Sequence, residues 1–275
     1  MKKAIFIGNS FIYYGGCVYT GKTWKIDESE SINYTARQDD RAYFYQICKQ
    51  YGIDISVTDA THGGRVLANF TPEGDGEEYS TSGIDLLAGY DLSSYTDVFI
   101  SEAGRNNPNF VRDIESVMSR FTNPATKFYY LIHNYTASQK HNEIYDALPY
   151  LRKKGVKIIP WGDLVYDIWV GDAEIVDAEC KYNKNSFIVK QSARDGFHEN
   201  PLCGYITAQM CFTAMTGISA KNTDLSFCSK VIDFDKYISE HYGFEDSTTN
   251  FPEILASGDM AQIKRYCDEY LERFN

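Results

Sequence analysis

Apolar residues along the chain fall into short continuous runs, separated by longer stretches in which they recur every three or four positions. Residues 4–7 (Ala-Ile-Phe-Ile) run straight into Gly8-Asn9-Ser10, the pattern of a central parallel strand that ends in a functional loop. Phe44, Ile47, Cys48 and Tyr51 share one helical face, which predicts a helix over 37–51 that Gly52 can end. Residues 53–57, 96–101, 127–132 and 156–159 read as four further strands. Between them lie a short helical candidate at 65–70 and a helix at about 109–121. The latter buries Phe110, Ile114, Val117, Met118 and Phe121. A helical pattern over 138–154 is expected to be divided or kinked by Pro149 and ended by Gly155.

Residues 161–199 read as irregular. Asn200-Pro201 then has the form of a cap followed by proline at the first helical position; Leu202, Ile206, Met210 and Phe212 supply the apolar contacts and Gly217 the stop. This alternation predicts an α/β fold, a flavodoxin-like three-layer α/β/α sandwich with a mostly parallel five-stranded sheet. Residues 12–35 form a polar, Tyr- and Gly-rich stretch. The segment 218–275 is expected to be a largely helical extension, packed on the core or acting as a cap, with candidates near 232–241 and 260–273.

Composition narrows the class. The 275 residues are 43% hydrophobic and 24% charged, as in soluble globular proteins, and a chain of this size buries roughly three quarters of its unfolded surface. An extended disordered protein is excluded. With 27 basic and 38 acidic residues the net charge is −11, which argues against nonspecific nucleic-acid binding but leaves a local basic pocket open. The acidic clusters at 27–30 and 73–78 read as solvated loops, since neither has the calcium-loop pattern. Seven cysteines without a C-x-x-C pair indicate neither a disulfide scaffold nor a zinc site; Cys48, Cys203 and Cys211 are expected to be small buried hydrophobes. The five histidines show no metal-ligand spacing, so no metal is expected. The run at 4–7 is too short for a signal-peptide core, and no stretch approaches the ~20 apolar residues of a membrane span. If Met1 is the native start, the expected location is the cytoplasm; an upstream start would leave room for an export signal.

The chemistry sits in the loops. Gly8-Asn9-Ser10 follows strand one, His62-Gly63-Gly64 strand two, and Gly104-Arg105-Asn106-Asn107 strand three, while Asp195-Gly196-Phe197-His198 precedes the last core helix. Open α/β sheets place their sites at these strand ends. In order and placement these blocks resemble those of the SGNH, or GDSL-like, hydrolase family: Gly-Asp/Asn-Ser, a glycine after strand two, Gly-x-Asn-Asp and Asp-x-x-His. The resemblance covers residues 3–217 and makes 1–217 the expected catalytic core. It departs at Asn107, where aspartate is usual, which puts a supporting contact in question.

What the resemblance implies is an esterase. Ser10 would be the nucleophile, His198 its general base and Asp195 the residue orienting the imidazole. Backbone N–H groups of Ser10 and Gly64 and the Asn106 amide would form the oxyanion hole, with Gly63 the alternative to Gly64. The family's common substrates suggest a small acyl ester, such as an O-acetyl group on a carbohydrate or other small molecule, with no cofactor. Arg105, Arg194, His133 and Asn134 are candidate substrate contacts; ordinary ion pairing for the arginines and a structural role for His133 stand beside that reading. Tyr13, Tyr14, Trp161 and Trp169 could stack on a sugar or simply pack, and His62 shares that ambiguity. Two other readings are an acyltransferase with the same nucleophile and a non-catalytic nucleotide-, FMN- or carbohydrate-binding protein, although no dinucleotide or P-loop glycine motif is present. Oligomeric state is not readable from the chain.

Overall fold

The computed structural model describes residues 1–13, 15–18, 42–72, 85–102, 107–133, 143–176, 182, 184–188, 198–223 and 258–275. Five strands, β1 (Lys2–Gly8), β2 (Ile55–Thr61), β3 (Asp97–Ile100), β4 (Lys127–Leu131) and β5 (Lys157–Ile159), pair in the order β2-β1-β3-β4-β5. Every pairing is parallel. Among the described residues, seven helices accompany them: α1 (Ser10–Tyr13), α2 (Tyr43–Gln50), α3 (Phe110–Ser119), α4 (Glu143–Lys153), α5 (Trp161–Val170), α6 (Pro201–Thr216) and α7 (Gly258–Phe274).

The two-residue period of β1 divides the core. Ala4 and Phe6 face a cluster built with α2, α5, α6 and α7, whereas Ile5 and Ile7 face one built with α3, α4 and the 3-10 turn Leu67–Phe70. Phe6, Phe99 and Tyr129, on three adjacent strands, stack at centroid separations of 4.4 and 4.5 Å on the first face. Both faces of the sheet are covered, so this is the expected three-layer sandwich. The five described cysteines are buried free thiols, and burial pushes the Cys48 thiol up to about 12, which leaves it unreactive.

Several elements differ from the sequence expectation. Helix α2 begins at Tyr43 because Ala42 is extended and the first helical N–H groups of Tyr43 and Phe44 are taken by the carbonyls of Gly16 and Cys17; positions 37–41 of the predicted helix lie outside the described residues. Strand β2 runs to Thr61, past the predicted end at Val57. Its polar residues tolerate burial because Asp59 Oδ1 accepts from the Thr61 N–H and hydroxyl, and Tyr95 OH donates to Thr58 Oγ1. The candidate at 65–70 is only a short 3-10 turn.

Pro149 does not divide α4, which is continuous across it. The proline lies on the exposed side of the helix. Ile144, Ala147, Leu148 and Leu151 hold the opposite face in the core. Residues 161–170, read as irregular, form α5. Most of the helix is buried, and its acidic residues are matched there, Asp163 by Tyr145 OH at 2.7 Å and Asp167 by Tyr270 OH at 2.5 Å.

Of the extension, 232–241 lies outside the described residues, while α7 packs against α5, α6 and β5. Beyond its last turn, Asn275 acts as one residue of a sixth strand. Its Oδ1 accepts from the Ile158 N–H at 2.7 Å and its Nδ2 donates to the Ile158 carbonyl at 2.8 Å. An edge strand is thereby paired at its midpoint. Asn275→Ala is expected to lower stability by about 1–2 kcal/mol through these two bonds. Urea midpoints of the two proteins measure it, and an unchanged midpoint would remove the structural role assigned to the amide.

Candidate functional site

The site is built at the carboxyl edge of the sheet, beside β1. This strand ends at Gly8 with φ +152°, and a Cβ there would lie 2.8 Å from Ile12 Cδ1 and 3.0 Å from the Ser101 carbonyl oxygen. Only glycine lets the chain turn this tightly between β3 and α1. Two residues later Ser10 opens α1 and is nearly buried.

Asn9, itself buried, ties this turn to the end of β2. Its Nδ2 donates to the Arg65 carbonyl at 3.1 Å while its Oδ1 accepts from the Phe11 N–H. The His62 N–H donates to the Gly8 carbonyl at 2.9 Å, so the 62–65 turn is held to β1 at both ends. Within it Gly64 takes φ +72°, and a Cβ on Gly63 would meet Tyr13 OH at 2.9 Å. Each glycine has a backbone reason to be there, and they differ: one a left-handed conformation, the other a close approach.

His198 lies just ahead of α6. Glu199 pairs with Ile188 in an antiparallel bridge, the Asn200 N–H donates to Phe187 O at 2.9 Å, and Asn200 Nδ2 donates to Ser186 O at 2.7 Å. Asn200 also caps α6 as expected, its Oδ1 accepting from the Cys203 N–H at 3.0 Å. Gly15, just after α1, and Gly204, in the first turn of α6, touch backbone to backbone; a Cβ on either would overlap the other's main chain. The loop behind the serine and the helix behind the histidine are therefore pressed together. Ser10 Oγ and His198 Nε2 lie 2.8 Å apart.

Three more aromatic rings back this pair. Phe11 stacks on His133 at 3.7 Å between centroids and lies 5.4 Å from His198, and Trp161 sits behind His133 at 6.1 Å. His133 Nδ1 is 3.3 Å from the Glu102 carbonyl oxygen, which can only accept, so the proton is on Nδ1 in the neutral ring. Burial, aided by repulsion from His198, pushes the His133 pKa down to about 3, against the raising effect of its contact with Glu102. At neutral pH it is an uncharged packing partner beside the Ser10–His198 pair.

Glu102, at the end of β3, is buried and accepts from Asn107 Nδ2 at 2.8 Å and from the Leu67 N–H at 3.3 Å. The same Asn107 Nδ2 lies 3.2 Å from Asp113 Oδ2, and Asn107 Oδ1 accepts from the Asn109 N–H. The departure from aspartate at position 107 thus has a physical reason: the residue sits between two buried carboxylates, where a donor is required.

The structure brings Ser10, His198, Gly64 and His133 to one edge of the sheet. Arg105, Asn106, Asn134, Arg194, Asp195 and Tyr14 lie outside the described residues. Trp161 is fully buried in the core, and Trp169 and Tyr13 are partly buried against it. His62 is buried edge-on to Phe70 at 6.0 Å. Sequence reasoning attached no role to Asn9, Phe11, Glu102, Gly15 or Gly204. A polar residue directly after a predicted strand was an available signal for Asn9 and Glu102; nothing local marks the two glycines as partners.

By fold this is a doubly wound parallel α/β protein, and its strand-end serine in contact with an imidazole has the geometry of a nucleophile and its base. No protein-family description matches the chain, and no curated protein does. Among solved structures, the chain is similar to a protein of Slackia heliotrinireducens provisionally named an SGNH hydrolase, at 12% identity and a TM-score of 0.45, over 78% of this chain and 98% of that one. It is similar also to a protein of Parabacteroides merdae provisionally named a GDSL-like lipase, at 10% identity and a TM-score of 0.45, over 78% and 95% of the two chains.

Two outcomes follow from this packing. Gly204→Ala forces the α1 loop and α6 apart and is expected to cost about 3 kcal/mol or more, measurable as a fall in the urea midpoint. A variant as stable as the parent would mean the two backbones separate freely. His133, neutral when folded, binds its proton near pH 6.5 when unfolded but only near pH 3 when folded. Its contribution is therefore intact above pH 6.5 and is lost as pH falls toward 3, with a slope of up to ~1.4 kcal/mol per pH unit. In His133→Gln, which keeps a donor for the Glu102 carbonyl, the stability difference between pH 7 and pH 5 should shrink; an unaltered difference would contradict the assignment.

Proposed function

We propose that the protein is a serine esterase of the SGNH kind, which removes a small acyl group such as acetyl from a carbohydrate or other small alcohol through an acyl-enzyme. The observation that carries this reading is the 2.8 Å contact between Ser10 Oγ and His198 Nε2, made at the carboxyl edge of the sheet beside β1. A serine hydroxyl is a weak nucleophile until a base takes its proton, and a hydroxyl donating to an imidazole lone pair is poised for that transfer.

In this reading Ser10 Oγ attacks the ester carbonyl as His198 Nε2 accepts its proton. The carbonyl oxygen becomes an oxyanion, which the Ser10 and Gly64 N–H groups and the Asn106 amide receive. As the intermediate collapses the carbon–oxygen bond to the alcohol breaks, and the imidazolium returns the proton to the leaving oxygen. A water molecule, deprotonated by the same imidazole, then attacks the acyl carbonyl and restores Ser10. Asp195 holds the imidazole tautomer in this scheme. Arg105, Arg194, Asn134 and His133 are the proposed substrate contacts. The reaction requires no cofactor and its substrate is a small molecule.

Fluorophosphonate labelling with site mapping, run beside hydrolysis of a short-chain ester, tests the proposal. The label is expected on Ser10, and Ser10→Ala and His198→Ala should each lower kcat by about 10⁴-fold or more. Hydrolysis that persists in both variants would sink the assignment. Adding alcohol acceptors to the same assay separates hydrolysis from acyl transfer.

A further inference from the structure

The esterase reading leaves Glu102 and Asn107 without a part in the chemistry, although both stand beside it. Glu102 is a buried carboxylate just beyond β3, and among the described residues its oxygens accept from the Leu67 N–H at 3.3 Å and Asn107 Nδ2 at 2.8 Å. Leu67 begins the 3-10 turn immediately beyond the 62–65 turn. That turn is held on its other side by the His62 N–H on Gly8 O and by Asn9 Nδ2 on Arg65 O. Gly64 therefore sits in a short stretch of backbone held at His62 and Arg65 from the end of β1 and, beyond them, at Leu67 from the end of β3. The clamp on the β3 side is the Glu102 carboxylate.

Asn107 is what allows that carboxylate to stay. Its Nδ2 lies between Glu102 Oε2 and Asp113 Oδ2, at 2.8 and 3.2 Å, while its Oδ1 is anchored by the Asn109 N–H. Asp113 is buried too, and its second oxygen is engaged by Arg112 Nε at 2.9 Å. Two buried carboxylates share one amide, and without it each loses a donor.

We propose that Glu102, held by Asn107, is a positioning residue of the esterase site: it fixes the Leu67 end of the turn and thereby the place of the Gly64 N–H relative to Ser10 Oγ. The inference rests on the esterase reading. It is distinct from ordinary fold support because the clamp's target is a proposed transition-state donor. Displacing such a donor slows the chemical step while leaving substrate affinity nearly unchanged.

The variant Asn107→Asp restores the residue usual in the SGNH pattern and is expected to impair this protein. The introduced carboxyl faces Glu102 from the end of β3 and Asp113 from α3, with Arg112 on the far oxygen of Asp113; His133 reaches only the Glu102 main chain. Two carboxylates and burial raise its pKa, so at lower pH it is protonated and can still donate one hydrogen bond. As pH rises it ionises, the shared donor disappears, and the clamp opens.

Short-chain ester kinetics from pH 6 to pH 9, with thermal melts on each protein, provide the test. At pH 8, kcat of Asn107→Asp should be roughly 10- to 100-fold below the parent with KM within about threefold, the scale expected when a reacting geometry shifts by about an ångström. The variant-to-parent ratio of kcat should fall as pH rises. Asn107→Ala, which removes the donor and adds no charge, should lower kcat with a ratio that is flat in pH. If Asn107→Asp does not fold, Asn107→Ala and Glu102→Leu, which removes the acceptor altogether, decide the matter by the same kcat-against-KM split. Parental kcat in the folded variants at every pH, with Ser10 still labelled by fluorophosphonate in the parent, overturns the clamp and leaves the esterase reading standing. A parent that is neither labelled at Ser10 nor active on esters overturns both.

Discussion

Strand β1 is hydrogen-bonded on both sides by parallel neighbours, and the site depends on that ladder. Its registers place Gly8 opposite Thr61 of β2 and Ile7 opposite Ile100 of β3. Parallel strands all finish at the same edge, so the residues just beyond them, Ser10, His62 and Glu102, are gathered there without any further device. Because helices bury both faces of the sheet, this edge is where polar groups of three consecutive strand ends can meet. The chain passes from β1 outward to β2, then crosses back to β3 on the other side of β1. The two crossovers diverge at that point and leave the crevice in which open α/β sheets bind their ligands.

Within that frame the contact between Ser10 and His198 is set by the main chain more than by side chains. Gly15 against Gly204 brings the segment behind the serine into backbone contact with α6, and Asn200 pins the segment that carries the histidine to residues 186 and 187. Distances held by backbone packing vary less than those held by long rotatable side chains, which a nucleophile–base pair requires. Phe11 and the neutral His133 extend the same rigidity to the ring side of His198. A charged imidazole at position 133 would repel a proton arriving on His198. Its burial removes that conflict.

The buried polar residues share one logic. Asp163, Asp167, Asp59 and Glu102 each lie in or beside the core and each faces a hydroxyl, amide or main-chain donor. Unmatched, any of them would cost more than most apolar contacts return. Matched, they tie elements together: α4 to α5, α5 to α7, and β3 to the turn beyond β2. Asn107 shows how far the environment dictates the residue, since between two carboxylates an amide is tolerated where a third carboxylate is not.

Local sequence determined much of this protein. The apolar runs mark all five strands, Asn200-Pro201 and Gly217 bound α6 by cap chemistry, and glycine at position 8 announces the tight turn before Ser10. The placement of Gly8-Asn9-Ser10 and His62-Gly63-Gly64 at the ends of the first two strands was also legible. Tertiary structure decided the rest. Helix α5 buries both of its acidic residues, which no local pattern foretells, α2 starts where carbonyls of Gly16 and Cys17 receive its first N–H groups, and α4 runs through Pro149 because its core face holds it. Ser10 and His198 are 188 positions apart, and no local pattern encodes a contact at that range. Propensity and periodicity act over a turn or a strand, whereas the meeting of a serine and a histidine is settled by how whole layers pack.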